Sequence, residues 1–150
     1  MKLTTIDEIL DYAIANEEEA ASLYTKLADR VERPGMRVAF LEFAQEEEGH
    51  RRRLEDIKDG KLPALSFRQV QDLGIARHLV EPMPTANMTY AEALVVVIKA
   101  EQAAYDLYTG LAGTIDDAGL SAAFRSLASE EARHKHRFEI EYDEVVLEGV

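Results

Sequence analysis

Six residues that can bind metal or carry protons fall where a helical seam should be apolar. In chain order they are Glu17, Glu47, His50, Glu101, Glu131 and His134. An isolated buried carboxylate costs several kcal/mol even after its surroundings relax, so it must be paired, protonated or metal-bound. Four carboxylates facing one another cannot all stay ionised without cations. Two divalent ions supply the four positive charges that balance them. Hard carboxylate oxygens with two imidazoles suit iron or manganese, and also zinc or cobalt. Glu and His three residues apart share a helix face, so Glu47 with His50, and Glu131 with His134, can each serve one ion. The basic residues offer no substitute. Arg51, Arg52 and Arg53 leave His50 in different directions, and no Lys or Arg holds that level of the seam. One Glu-x-x-His on a helix is usually a solvated pair, and one seam glutamate can merely set register. The seam placement of all six favours a dinuclear metal site.

Four helical patterns must position these groups. They run from about Thr5 to Glu32, Met36 to Asp59, Thr89 to Ala112 and Asp117 to Val146. Thr5 with Glu8, and Thr89 with Glu92, read as capping boxes, and Pro34-Gly35 and Gly60 as breaks. The first seam is Ile6, Leu10, Ala13, Ala20, Tyr24, Leu27 and Val31; the second is Met36, Phe40, Phe43, Leu54 and Ile57. The third is Tyr90, Leu94, Val97, Ala104, Tyr108 and Leu111; the fourth is Leu120, Phe124, Leu127 and Phe138. Steps of three and four keep each stripe facing a partner. Residues 61–88 hold three prolines and read as a crossover with a short helix near Gln69–Leu79. The pattern predicts one all-α domain over 1–150, a four-helix bundle of two hairpins joined by a long crossover.

The second hairpin repeats the first at an offset of 84 residues. Without gaps, residues 5–55 and 89–139 share 20 identities in 51 positions. Glu17 maps to Glu101, Glu47 to Glu131 and His50 to His134. Two units of two helices make a duplicated hairpin, not a solenoid.

Composition narrows the function. Asp and Glu total 29 against 17 Lys and Arg, for a net charge of −12. That argues against nucleic acid or an anionic membrane as partner and is compatible with attracting small cations. Cysteine is absent, which excludes thiol nucleophiles, thiolate zinc and Cys-ligated iron–sulfur chemistry in this sequence. The N-terminal residues lack an apolar signal core, and the longest apolar run, Ala93 to Ile98, is too short to span a bilayer. The expectation is a soluble, cytoplasmic protein.

With its Glu17, Glu47-Glu48-Gly49-His50, Glu101 and Glu131-Ala132-Arg133-His134, the chain resembles the ferritin-like di-iron carboxylate proteins, and among them the rubrerythrins. The words Tyr24-Thr25-Lys26-Leu27-Ala28 and Arg137-Phe138 are similar to that group too. The resemblance implies two iron ions per chain, with Glu47 and Glu131 bridging them. Glu17 with His50, and Glu101 with His134, would cap one ion each. It implies oxidation of the reduced centre by hydrogen peroxide or O₂, re-reduction by a separate electron donor, and a homodimer. A ferroxidase tied to iron storage, a dimanganese catalase-type centre and a non-enzymatic metal bundle are the alternatives. Rubrerythrins carry a further carboxylate three residues after the third-helix Glu, where this chain has Ala104, matching Ala20. That departure gives weight to the ferroxidase alternative. Tyr24 and Tyr108, seven residues beyond Glu17 and Glu101, are candidates for orienting a ligand through their hydroxyls. Glu46, Glu130, Arg53 and Arg137 read as helix flank, and His78 and His136 as exposed.

Overall fold

The computed structural model describes residues 5–60 and 88–147. They form α1 (Ile6–Arg30), α2 (Pro34–Asp59), α3 (Tyr90–Thr114) and α4 (Ala118–Leu147). No strand occurs among the described residues, so the all-α class expected from the sequence is the one found. The short helix expected near Gln69–Leu79, and His78, lie outside the described residues. No described helix is long and apolar enough to cross a membrane.

Local chemistry explains the helix ends. At α3 the capping box is complete: Glu92 N–H donates to Thr89 Oγ1 at 3.1 Å, and Thr89 N–H donates to Glu92 at 3.0 Å. At α1, Glu8 N–H donates to Thr5 Oγ1 at 3.1 Å, while the Thr5 hydroxyl donates to the Glu8 carboxylate at 3.0 Å. The return contact there runs from hydroxyl to carboxylate. Helix α2 starts two residues before the expected Met36. Pro34 sits in its first turn, where a missing N–H loses no helical bond. Pro34-Gly35 therefore opens the helix, and the chain breaks at residues 31–33. Gly60 closes α2, and a Cβ there would meet the Asp56 carbonyl oxygen at 2.8 Å. Helix α4 begins under Asp117, whose Oδ1 accepts Leu120 N–H at 2.9 Å.

The helices form two compact units, one holding α1 and α2, the other α3 and α4. In the first, Leu10, Ala13, Leu27, Phe40, Phe43 and Leu54 are buried, and the Tyr24 and Phe40 rings lie 6.2 Å apart. In the second, Leu94, Val97, Leu111, Phe124, Leu127 and Phe138 are buried, and the Tyr108 and Phe124 rings lie 6.3 Å apart. These ring pairs are equivalent under the 84-residue offset. So are two carbonyls near the ends of α1 and α3. Arg37 Nε donates to the Ala28 carbonyl at 3.1 Å, and Ser121 Oγ donates to the Ala112 carbonyl at 2.7 Å. Different residues at equivalent positions thus satisfy the same backbone acceptor. The buried stripe is wider than the seams read from the sequence, taking in Ile9 and Ala28 with their partners Ala93 and Ala112, and Ala21 in the first hairpin alone. Ile6, Ile57, Tyr90, Ala104 and Leu120, assigned to the seams, are only half-buried.

Candidate metal centre

Each hairpin buries a Glu-Glu-His triad halfway along its helices. In the first, α1 supplies Glu17 and α2 supplies Glu47 and His50. His50 Nδ1 lies 3.4 Å from Glu17 Oε2 and 3.6 Å from Glu47 Oε1. In the second, α3 supplies Glu101 and α4 supplies Glu131 and His134. His134 Nδ1 lies 3.8 Å from Glu101 Oε1 and 3.6 Å from Glu131 Oε1. The four glutamates are at most 2% exposed and both histidines 0%, so water cannot supply the solvation that surface carboxylates enjoy.

These distances exceed those of a good N–H···O hydrogen bond, ~2.7–3.2 Å. They suit donors arranged around an ion. Oxygen and nitrogen ligands sit about 2.0–2.2 Å from a metal such as zinc, so two donors on one ion lie up to about 4.4 Å apart. The donor atoms of Glu17, Glu47 and His50 all fall within 4.8 Å of one another, as do those of Glu101, Glu131 and His134. Two carboxylates and an imidazole per hairpin are a donor set for iron, manganese, zinc or cobalt. By its chemistry and its spacing, each triad fits a divalent ion.

Arg51 turns to the helix flank, where it donates to Glu48 at 3.0 Å and Glu55 at 2.7 Å and lies 4.0 Å from Glu18. Its hydrogen bonds to the Glu48 and then the Glu55 carboxylate hold the guanidinium further toward the charged form. At the equivalent position Lys135 lies 3.7 Å from Glu139. Glu46, Glu130, Arg53 and Arg137 are half-buried, and His136 is exposed. Tyr24 and Tyr108 are 1% exposed, with their rings against Phe40 and Phe124.

One buried acid escaped the sequence reading. Glu141 on α4 is 0% exposed and accepts the Tyr90 hydroxyl at 2.8 Å. Its signal was there: Glu141 stands three residues after the seam residue Phe138, and its equivalent in the first hairpin is Ile57. Tyr90 replaces Ile6 in the same way, so an apolar pair of positions in one hairpin is a hydrogen-bonded pair in the other.

Residues 8–74 match the family model described as Rubrerythrin. No curated protein gives a significant match, and neither does any solved structure. The matched span contains α1 from Glu8 onward, α2 and the whole first triad, and the second hairpin repeats that span's helices and triad at the 84-residue offset. The rubrerythrin family is a ferritin-like four-helix bundle, and this chain has four helices and, among the described residues, no strands. Over residues 8–74 the chain is similar to the rubrerythrin family, and its four helices are consistent with the ferritin-like fold of that family.

Proposed function

We propose that this protein is a di-iron oxidoreductase that reduces hydrogen peroxide or O₂ with electrons from a separate donor. The observation that carries the reading is the pair of buried triads, one per hairpin, in a chain whose first hairpin matches the rubrerythrin family. In this reading the two triads act together as one dinuclear centre. When bound, two irons supply two electrons together, as peroxide reduction to water requires.

The protein's own part follows from its side chains. Glu47 and Glu131 would supply carboxylates to the ions, and Glu17 with His50 and Glu101 with His134 would complete the two donor sets. In both histidines Nδ1 is the nitrogen turned to the carboxylates. Binding through Nδ1 leaves the proton on Nε2, which fixes the tautomer. The six ligands sit on helix interiors, which hold geometry better than loops do. Buried Phe43 and Leu54 flank the first triad along α2, and Leu127 and Phe138 flank the second along α4. These apolar neighbours exclude bulk water and strengthen every charge interaction inside. The role assigned to the Tyr24 and Tyr108 hydroxyls in this reading is to orient ligand carboxylates.

A ferroxidase is the second reading. It is favoured by Ala104, which stands where a further carboxylate would make the site rubrerythrin-like in full and which matches Ala20 in the first hairpin. Anaerobic reconstitution with Fe²⁺, elemental analysis and stopped-flow absorbance after adding H₂O₂ or O₂ separate the two. Two irons per chain and faster oxidation by peroxide support the peroxidase. Faster oxidation by O₂ supports the ferroxidase. Fewer than two irons per chain overturns both.

A further inference from the structure

The two triads carry the same ligands but not the same neighbours. Around the first, Glu18 and Glu48 follow directly on Glu17 and Glu47, with side chains 57% and 40% exposed on the Arg51 network. At the equivalent positions the second hairpin has Gln102 and Ala132. Gln102 donates to Asp106 at 2.9 Å and brings no charge of its own. The same trend runs through Glu19 against Ala103, Glu42 against Ser126 and Gly49 against Arg133. Within five residues of a ligand, only Arg52 against His136 and Ser22 against Asp106 oppose it, and Arg51 against Lys135 is neutral in charge. Lys26, Arg30, Arg33 and Arg37, which align with Gly110, Thr114, Asp117 and Ser121, lie farther along the helices. The flank of the first triad is therefore several charges more negative than that of the second.

We propose that the two ion sites are unequal, and that the first hairpin takes the first divalent cation because of these flanking carboxylates. The inference rests on the metal-binding reading above and adds an order of loading to it. Exposed charges about 10 Å from an ion lie near one Debye length at 0.1 M salt, so each changes the affinity for a divalent ion by roughly 1.5- to 2-fold. Glu18 and Glu48 together account for about threefold, and the whole difference for up to about tenfold at low salt. Ligand geometry plays no part in this preference, so it fades as salt is added. Duplication keeps the six ligands fixed while the exposed flanks diverge, so the binding chemistry and the loading order are encoded in different residues.

Mn²⁺ titration of the full chain tests this by calorimetry and by the electron paramagnetic resonance of free Mn²⁺, with helicity followed by circular dichroism. Glu101→Ala leaves only the first triad intact, and Glu17→Ala only the second. The first triad alone should bind Mn²⁺ about three- to tenfold more tightly at 20 mM salt, with the gap closing at 0.5 M. In the chain with both triads intact, Glu18→Gln with Glu48→Ala should weaken the first ion about threefold. These two exposed substitutions touch no ligand, so they report even where a triad variant fails to fold. Equal affinities, a gap that survives high salt, or a first ion indifferent to Glu18 and Glu48 overturns the proposal. A wild-type chain that binds neither Mn²⁺ nor Fe²⁺ overturns the metal reading itself.

Discussion

Replacing Glu47 with glutamine separates a metal ligand from a structural ion pair, because the two roles predict opposite signs. In the first hairpin the donor oxygens of Glu17 and Glu47 lie within 4.8 Å of one another. Two ionised carboxylates at that distance repel by about 3 kcal/mol at an effective dielectric near 20. If the triad exists to hold a cation, the metal-free protein carries that strain. Glu47→Gln, which keeps the shape and removes one charge, then leaves the metal-free protein as stable as before or up to about 3 kcal/mol more stable. At roughly 2–4 °C per kcal/mol for a chain of this size, Tm rises by several degrees. With Mn²⁺ or Fe²⁺ present the order reverses. A ligand at a hundred times its Kd stabilises the folded state by about 2.7 kcal/mol per site, and the variant loses at least one such contribution. If instead a protonated His50 sat between Glu17 and Glu47 as a structural pair, the substitution would break a buried ion pair. The metal-free variant would then lose about 3–5 kcal/mol and metal would have no effect. Thermal unfolding followed by circular dichroism, with chelator and with metal, reads both arms. A metal-free variant that is clearly less stable than the wild type refutes the reasoning.

Three further outcomes follow from single contacts. Ser121→Ala removes the donor to the buried Ala112 carbonyl, at 2.7 Å, and should cost about 1–3 kcal/mol in a chemical denaturation curve. Gly49→Ala should stabilise by about 0.5–1 kcal/mol, since a Cβ there meets nothing within 4 Å and glycine is a poor helix former; a loss would mean that the position needs a bare backbone. The Glu92 carboxyl is held below its usual range, first by the Thr89 backbone N–H and then by its side chain. Its contribution to stability is thus present above the unfolded-state pKa and lost as pH falls through the folded one. Glu92→Gln should flatten that acid limb of the stability profile, and an unchanged limb would show that the box does not titrate with folding.

Much of this was legible because burial and charge conflict so sharply. Glu17, Glu47 and His50 interrupt a run of apolar steps, and no sequence reading that puts Leu10, Phe43 and Leu54 inside can leave them out. The repeat then supplied Glu101, Glu131 and His134 at the same register. What the sequence hid were contacts set by three-dimensional reach. Arg37 reads as a surface arginine until its guanidinium is seen on the Ala28 and Val31 carbonyls, at 3.1 and 3.0 Å. Glu141 reads as one more acid in an acidic C-terminal stretch until Tyr90, 51 residues earlier, is found donating to it. Pro34-Gly35 reads as a helix break, because periodicity alone does not say whether a proline ends one helix or opens the next.

The contrast between Arg37 and Ser121 shows what the fold constrains and what it leaves free. Both answer one physical demand, an acceptor near a helix end that needs a donor. A long guanidinium and a short hydroxyl meet it from equivalent positions. At the triads no such freedom remains. A cation bound inside a hairpin needs oxygen and nitrogen donors about 2 Å away on every side. Lengthening, shortening or neutralising one of them leaves the ion or a carboxylate uncompensated. The two hairpins differ at 31 of 51 aligned positions and agree at all three triad positions. Replacing His134 with glutamine should therefore be tolerated by the second hairpin as a fold and not as an ion site. Helicity and cooperative unfolding are expected to persist while Mn²⁺ stoichiometry falls from two to one. Loss of the fold along with the ion would mean that the triad holds the helices together rather than the metal.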